Sequence, residues 1–183
     1  MEERNQILRE KLTMMHTWTI AAAACIVLVF IPIINLIAVV IALIAAIVVF
    51  LAMLKLKDLH DDYHTAFMLS VINMALAIMG SLLGGTMEAI VDIISSLVNF
   101  GQTYYIIRAT NCFLMEGGRG DVVEKGRTAV RLYAINLVVG LLIGALALIS
   151  VELGVALSVV SLIVSIAAMV AYIKYLGAAK DCF

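Results

Sequence analysis

Long stretches without a charged residue dominate the chain. No Asp, Glu, Lys or Arg occurs within residues 12–54, 65–87, 93–107, 132–151 or 153–173. A membrane-spanning helix needs about 20 apolar residues, and the first stretch is more than twice that length. We therefore expect it to fold back, and Pro32 and Asn35 supply the turn chemistry inside it, because proline removes a helical donor and asparagine caps a following helix.

The pattern predicts an all-α protein, a polytopic membrane helix bundle of six transmembrane helices arranged as three tandem hairpins. Gly84 and Gly85 are expected to end the third helix, while Thr86 and Ser150 are N-cap candidates for the fourth and sixth. The predicted helices are 13–31, 35–54, 64–83, 86–108, 128–149 and 150–175, which gives hairpins over 13–54, 64–108 and 128–175.

Positive charge predicts the orientation of this bundle. With six spans, all twelve Lys and Arg residues fall on the side that holds both termini and the loops 55–63 and 109–127. The positive-inside rule then places both termini and these loops in the cytoplasm. A five-span alternative would divide the same charges three against nine, so six spans is the preferred interpretation.

Composition agrees with a single membrane domain over residues 1–183. The chain is 64% hydrophobic and 14% charged with a formal net charge of −1, whereas a soluble domain is about 45–50% apolar and about 25% charged. This excludes a disordered chain and a secreted disulfide scaffold, and no nucleic-acid partner is expected without a basic field. We expect the lipid bilayer of a prokaryotic cytoplasmic membrane as the solvent.

The first residues are expected to lie in the membrane interface. Within 1–16, the apolar residues Ile7, Leu8, Leu12 and Met15 share one face of a helix. A cleavable signal is not expected, since the polar head is long and contains acidic residues, and no small-residue cleavage site follows the apolar run.

Two segments of the chain resemble each other at an offset of 63 residues. Residues 64–73 and 127–136 are identical at five of ten aligned positions, including Asn73 and Asn136. The turns at 86–88 and 150–152 also match, at an offset of 64. We infer that the second and third hairpins are copies in the same orientation, although convergence within a low-alphabet apolar sequence is the alternative.

Polar residues recur on one face of the fourth helix at steps of four, three, four and three residues. They are Glu88, Asp92, Ser95, Asn99 and Gln102. One interpretation is a polar seam or permeation path, which Asn73 and Asn136 would join near the mid-depth of the membrane. The other, preferred here, is hydrogen bonding between packed helices.

Small residues predict helix-packing faces on the last two helices. Helix five contains Gly140 and Gly144, four residues apart, and helix six presents Gly154, Ser158, Ser161 and Ser165. Small side chains let helix backbones approach closely in a bilayer. Packing within the chain is the preferred use, and a homo-oligomer or another membrane protein is the alternative partner.

No catalytic residue, metal site or cofactor is expected. His60 and His64 have the i, i+4 spacing of metal ligands, but no third ligand is evident nearby, so a solvated loop is the preferred interpretation. Motifs of metalloproteases, serine hydrolases and P-loop proteins are missing from the sequence. The expected function is a non-enzymatic structural, regulatory or assembly partner; a small transporter or channel is the alternative, and a lipid-modifying enzyme a distant third.

Overall fold

The structure is a computed structural model. It describes the backbone of residues 2–28, 32–82, 86–147 and 151–183, and their side chains except those of 26–28, 32–36, 38, 39, 81, 86, 88, 89, 147 and 151–156. The described residues form six α-helices, as the sequence predicts. They are α1 (Glu2–Leu28), α2 (Pro32–Leu56), α3 (Asp61–Leu82), α4 (Thr86–Glu116), α5 (Gly120–Ala147) and α6 (Val151–Lys180).

Each helix packs against its neighbours in the chain. The most extensive contacts join α1 to α2, α3 to α4 and α5 to α6, and smaller ones join α4 to α5 and α2 to α3. Helix α6 also contacts α1. Among the described residues the six helices therefore form a ring in chain order.

Side-chain pairs show that α3 and α4 run antiparallel. Tyr63 near the start of α3 hydrogen-bonds Thr110 near the end of α4, with 2.7 Å between the two hydroxyl oxygens. Further along α3, Asn73 bonds Asn99. A Cβ on Gly80 would lie 3.4 Å from Val91, near the start of α4.

The tightly packed core lies at one end of this ring. Its members come from the parts of the helices that flank the connections 57–60 and 117–119 and the two termini. Fully buried examples are Leu12, Met53, Tyr63, Ile107 and Leu176. The Lys and Arg residues lie at this same end. The helices therefore pack most tightly against one another at the charged end of the ring.

Large apolar side chains cover the rest of the helices without being buried. Leu43, Ile78, Leu142 and Ile163 are each about 60% exposed, and many similar residues surround them. Four helical stretches are long and apolar enough to cross a membrane: Asp61–Gly80, Ile90–Glu116, Gly120–Leu146 and Leu157–Lys180. A shorter apolar stretch, Val40–Leu56, lies in α2. An apolar surface of this extent is typical of a protein whose solvent is lipid.

Residues 109–127 differ from the predicted loop, since most of them extend α4 and α5. The helix continues past the charged boundary because Ala109, Phe113 and Leu114 are buried in the core. It ends at Glu116, and two residues later Gly118 has a φ of +70°, which favours glycine. The amide of Arg119 bonds the carbonyl of Leu114 over 2.9 Å, and that of Gly118 bonds Met115, which forms a Schellman cap.

Residues 2–16 likewise belong to one continuous helix with the predicted first span. Leu8, Leu12 and Met15 are buried against the other helices rather than left for a membrane surface. Arg4 ties this segment to the end of α4 through an ion pair with Glu116 at 3.0 Å. The turn positions Gly84, Gly85 and Ser150 lie outside the described residues.

Candidate functional site

A half-open cavity with a mixed polar and apolar lining lies between α4, α5 and α6. Its volume is about 640 Å³, within the range of small-molecule sites. The polar residues that line it are Asp92, Ser96, Asn99, Asn136, Ser161 and Ser165. Except for Asp92, they all lie inside the uncharged stretches 93–107, 132–151 and 153–173.

Two asparagines give the cavity its hydrogen-bonding character. Asn99 accepts a bond at Oδ1 from the side-chain nitrogen of Asn73 over 3.0 Å. Asn136 accepts one at Oδ1 from the Ser165 hydroxyl over 2.7 Å. In both asparagines Oδ1 already accepts a hydrogen bond, and no described residue accepts one from the Nδ2 group. Two amide groups of lining residues are therefore donors without an acceptor in the described part of the chain.

The cavity gathers only part of the predicted polar seam. Asp92 and Asn99 line it, whereas Ser95 and Gln102 do not. Neighbouring residues in a helix point about 100° apart, so the face that lines the cavity takes Ser96 instead of Ser95. Asn73 is not among the lining residues, but its side chain donates a hydrogen bond to Asn99, which is. The side chain of Glu88 lies outside the described residues.

Ser96 is the cavity residue that sequence reasoning missed. It lies four residues after Asp92, and its hydroxyl donates to the Asp92 carbonyl over 2.8 Å. The i, i+4 spacing from Asp92 to Ser96 is present in the sequence. The adjacent Ser95, however, fits the predicted steps of three and four residues, so the prediction took Ser95 instead of Ser96.

The two glycines predicted as a packing face of α5 have no close neighbour on another helix among the described residues. A Cβ added to Gly140 or Gly144 would meet no other atom within 4 Å in the described part of the chain. Both residues instead line the cavity, together with Ser161 and Ser165 of α6. Because they carry no side chain, they leave space in the wall. Ser158 does not line the cavity, and the side-chain surroundings of Gly154 lie outside the described residues.

The lining offers both donors and acceptors to a bound molecule. The amide groups of Asn99 and Asn136 donate. The hydroxyls of Ser96 and Ser165 already donate to the Asp92 carbonyl and to Asn136, so they can only accept from a bound molecule. Asp92 supplies the carboxylate at one end, and Phe100 and Tyr133 form an aromatic wall at the other. This arrangement suits a small molecule with carbonyl or hydroxyl oxygens.

A second polar cluster lies at the charged end of the ring. His60, Asp62 and Cys112 place one potential ligand atom each within 4.8 Å of one another, so Cys112 of α4 joins a cluster that the sequence spacing did not indicate. His64, by contrast, is exposed. Arg108 already pairs with Asp62, with 3.1 Å between Nε and the carboxylate oxygen, and Nδ1 of His60 accepts from the Asp62 amide. A metal ion here would have to displace both contacts.

Comparison with known proteins identifies no relative of the chain. No protein-family model, no curated protein and no solved structure matches the chain significantly. The class defined by the fold is therefore an all-helical protein with four helices long and apolar enough to span a membrane.

Proposed function

We propose that the chain is an integral protein of a prokaryotic cytoplasmic membrane, with six spans in three hairpins and both termini in the cytoplasm. The separation between a packed, charged end and exposed apolar lengths of helix supports a bilayer around those lengths. The one-sided distribution of the twelve Lys and Arg residues supports the orientation. The extensive contacts within α3–α4 and α5–α6 support hairpins as the repeated unit.

We further propose that the cavity binds a small polar solute, as a small transporter or channel does. The observation that carries this proposal is the position of the cavity. Polar groups line it although it lies within sequence stretches that are otherwise apolar. Polar groups at membrane depth are costly, and they commonly mark substrate pathways. Among the described residues, the amide nitrogens of Asn99 and Asn136 have no acceptor.

The chemistry of the lining favours an uncharged solute. Asp92 is the one carboxylate among the described lining residues, and it lies at the end of an uncharged stretch rather than near its middle. Coupled cation transport normally uses an ionisable residue near the membrane midplane. A neutral solute with hydroxyl or carbonyl oxygens needs only the amide and hydroxyl groups that line the wall.

Solute flux in proteoliposomes tests this function. Glycerol and urea serve as probes, and stopped-flow light scattering reports their entry. We expect flux above that of empty vesicles for the unsubstituted protein. Two variants should abolish it: Gly140→Leu/Gly144→Leu, which fills the cavity, and Asp92→Asn/Asn99→Leu, which removes polar groups. Val138→Leu, an exposed position of α5 outside the cavity, is the matched control.

Flux of the unsubstituted protein at the level of empty vesicles for both probes would contradict the solute proposal. So would equal flux from all variants. The role as an assembly partner stays a prediction, and co-purification from native membranes with one reproducible partner would support it.

A further inference from the structure

A basic groove lies between α4 and α5, apart from the solute cavity. Its volume is about 400 Å³. Three arginines line it: Arg108 from α4, and Arg127 and Arg131 from α5. Arg127 and Arg131 are four residues apart, so they project from the same face of α5. The groove thus collects a quarter of the chain's Lys and Arg residues at one place.

The groove lies at the depth expected for lipid headgroups. Arg108 directly follows the uncharged stretch 93–107, and Arg131 directly precedes 132–151. The two residues mark the same boundary on neighbouring helices. Tyr104, which also lines the groove, has the amphipathic ring that is typical of the membrane interface.

The charges of the groove are only partly balanced. Arg108 pairs with Asp62, and Arg127 pairs with Glu124 at 3.2 Å. Neither carboxylate lines the groove. Arg131 is exposed and makes no ion pair with any residue that the structure describes. The described lining of the groove therefore contains positive charge but no carboxylate that could pair with Arg131.

A neutral donor and apolar walls complete the groove. Tyr175 donates its hydroxyl to Oδ1 of Asn111 over 3.0 Å, which leaves the Asn111 amide nitrogen as its donor group. Ile107, Val123 and Val130 form an apolar wall beside the arginines. Positive charge next to apolar surface suits a molecule with an anionic head and a hydrocarbon tail.

We propose that this groove binds the phosphate group of an anionic glycerophospholipid of the inner leaflet. Arg127 and Arg131 contact the phosphate, and the apolar wall packs against the first acyl carbons. Basic pockets between helices on the cytoplasmic side have this use in membrane proteins. The inference rests on the membrane location proposed above, but it does not depend on the solute cavity.

Thermal unfolding of the protein in a nonionic detergent tests the proposal. Circular dichroism at increasing phosphatidylglycerol measures the shift in Tm, with phosphatidylcholine and inorganic phosphate as the other two arms. We expect phosphatidylglycerol alone to raise Tm. In Arg127→Gln/Arg131→Gln the half-saturating lipid concentration should rise roughly tenfold or more, since each arginine near an anionic surface contributes appreciably to binding.

Arg9→Gln/Arg119→Gln is the matched control, because it removes the same charge from exposed positions outside the groove. It should keep the lipid response of the unsubstituted protein. Equal loss in the two double variants would overturn the proposal in favour of general charge attraction. A full shift with inorganic phosphate alone would overturn the lipid as the source of the phosphate. Neither readout uses solute flux, so failure of the transport proposal leaves this test intact.

Discussion

The hydroxyl of Ser165 in α6 donates to Oδ1 of Asn136 in α5 across 2.7 Å, at the wall of the polar cavity. Asn73, which aligns with Asn136 in the sequence repeat, also bonds the next helix in the chain, through Asn99. Each aligned asparagine thus links its helix to the following one. The two links help to explain how a polar cavity is held between helices that expose mostly apolar surface.

The first prediction concerns the energy of this link. Ser165→Ala removes the donor, and a double-mutant cycle with Asn136→Ala should give a coupling of about 0.6 kcal/mol, typical of hydrogen bonds between membrane helices. Unfolding of the detergent-solubilised protein by sodium dodecyl sulfate measures it. Ser161→Ala is the control, since Ser161 lines the same cavity and has no hydrogen bond to Asn136. Equal coupling for both serines would show that the bond contributes nothing.

A second prediction concerns close packing at the charged end. A Cβ on Gly126 of α5 would lie 2.8 Å from the ring of Tyr175 and 2.9 Å from Oδ1 of Asn111. Tyr175 is fully buried. Gly126→Ala should therefore lower the free energy of unfolding by about 1–3 kcal/mol, the usual cost of overpacking.

Gly140→Ala is the matched control on the same helix. Nothing in the described part of the chain lies within 4 Å of the added Cβ. Alanine is about 1 kcal/mol better than glycine in a helix interior, so this variant should be as stable as the unsubstituted protein or more so. Thermal midpoints compare the two, and a stable Gly126→Ala would contradict the packing described here.

The sequence was informative about helices and less so about where they end. The absence of charge over tens of residues predicted six helices, because that signal extends over the whole length of each helix. It predicted a loop at 109–127, where the charges of Arg119, Lys125 and Arg127 concealed the apolar face of Phe113 and Val122. Charge predicts where a helix leaves the membrane, whereas the helix itself ends where the backbone turns, here after Glu116, with Gly118 at positive φ.

The candidate site was likewise predicted in part. The sequence identified Asp92, Asn99 and Asn136 because polar residues are rare in these stretches. It could not tell packing glycines from cavity glycines, since Gly140 and Gly144 have the same spacing in either role. The sequence also could not predict that Cys112 lies near His60, because their proximity depends on how α4 packs against the start of α3.

A third prediction tests the orientation. In a background with Cys25, Cys112 and Cys182 replaced by Ala, Met87→Cys and Arg119→Cys place one thiol at the start of α4 and one after its end. A membrane-impermeant maleimide added to intact spheroplasts should label Met87→Cys, and Arg119→Cys only after lysis. Labelling of both thiols from the same side would rule out the proposed span of α4.

The central claim is that a polar, water-containing cavity lies inside the membrane between α4, α5 and α6. Cysteine reactivity in proteoliposomes tests it most directly, because only the thiolate reacts and it forms only where water reaches. In the cysteine-free background, Ser96→Cys places the thiol in the cavity and Leu97→Cys places it on the exposed apolar surface of α4. We expect Ser96→Cys to react with a small water-soluble methanethiosulfonate at least about tenfold faster than Leu97→Cys. Equal rates at the two neighbouring positions would contradict it.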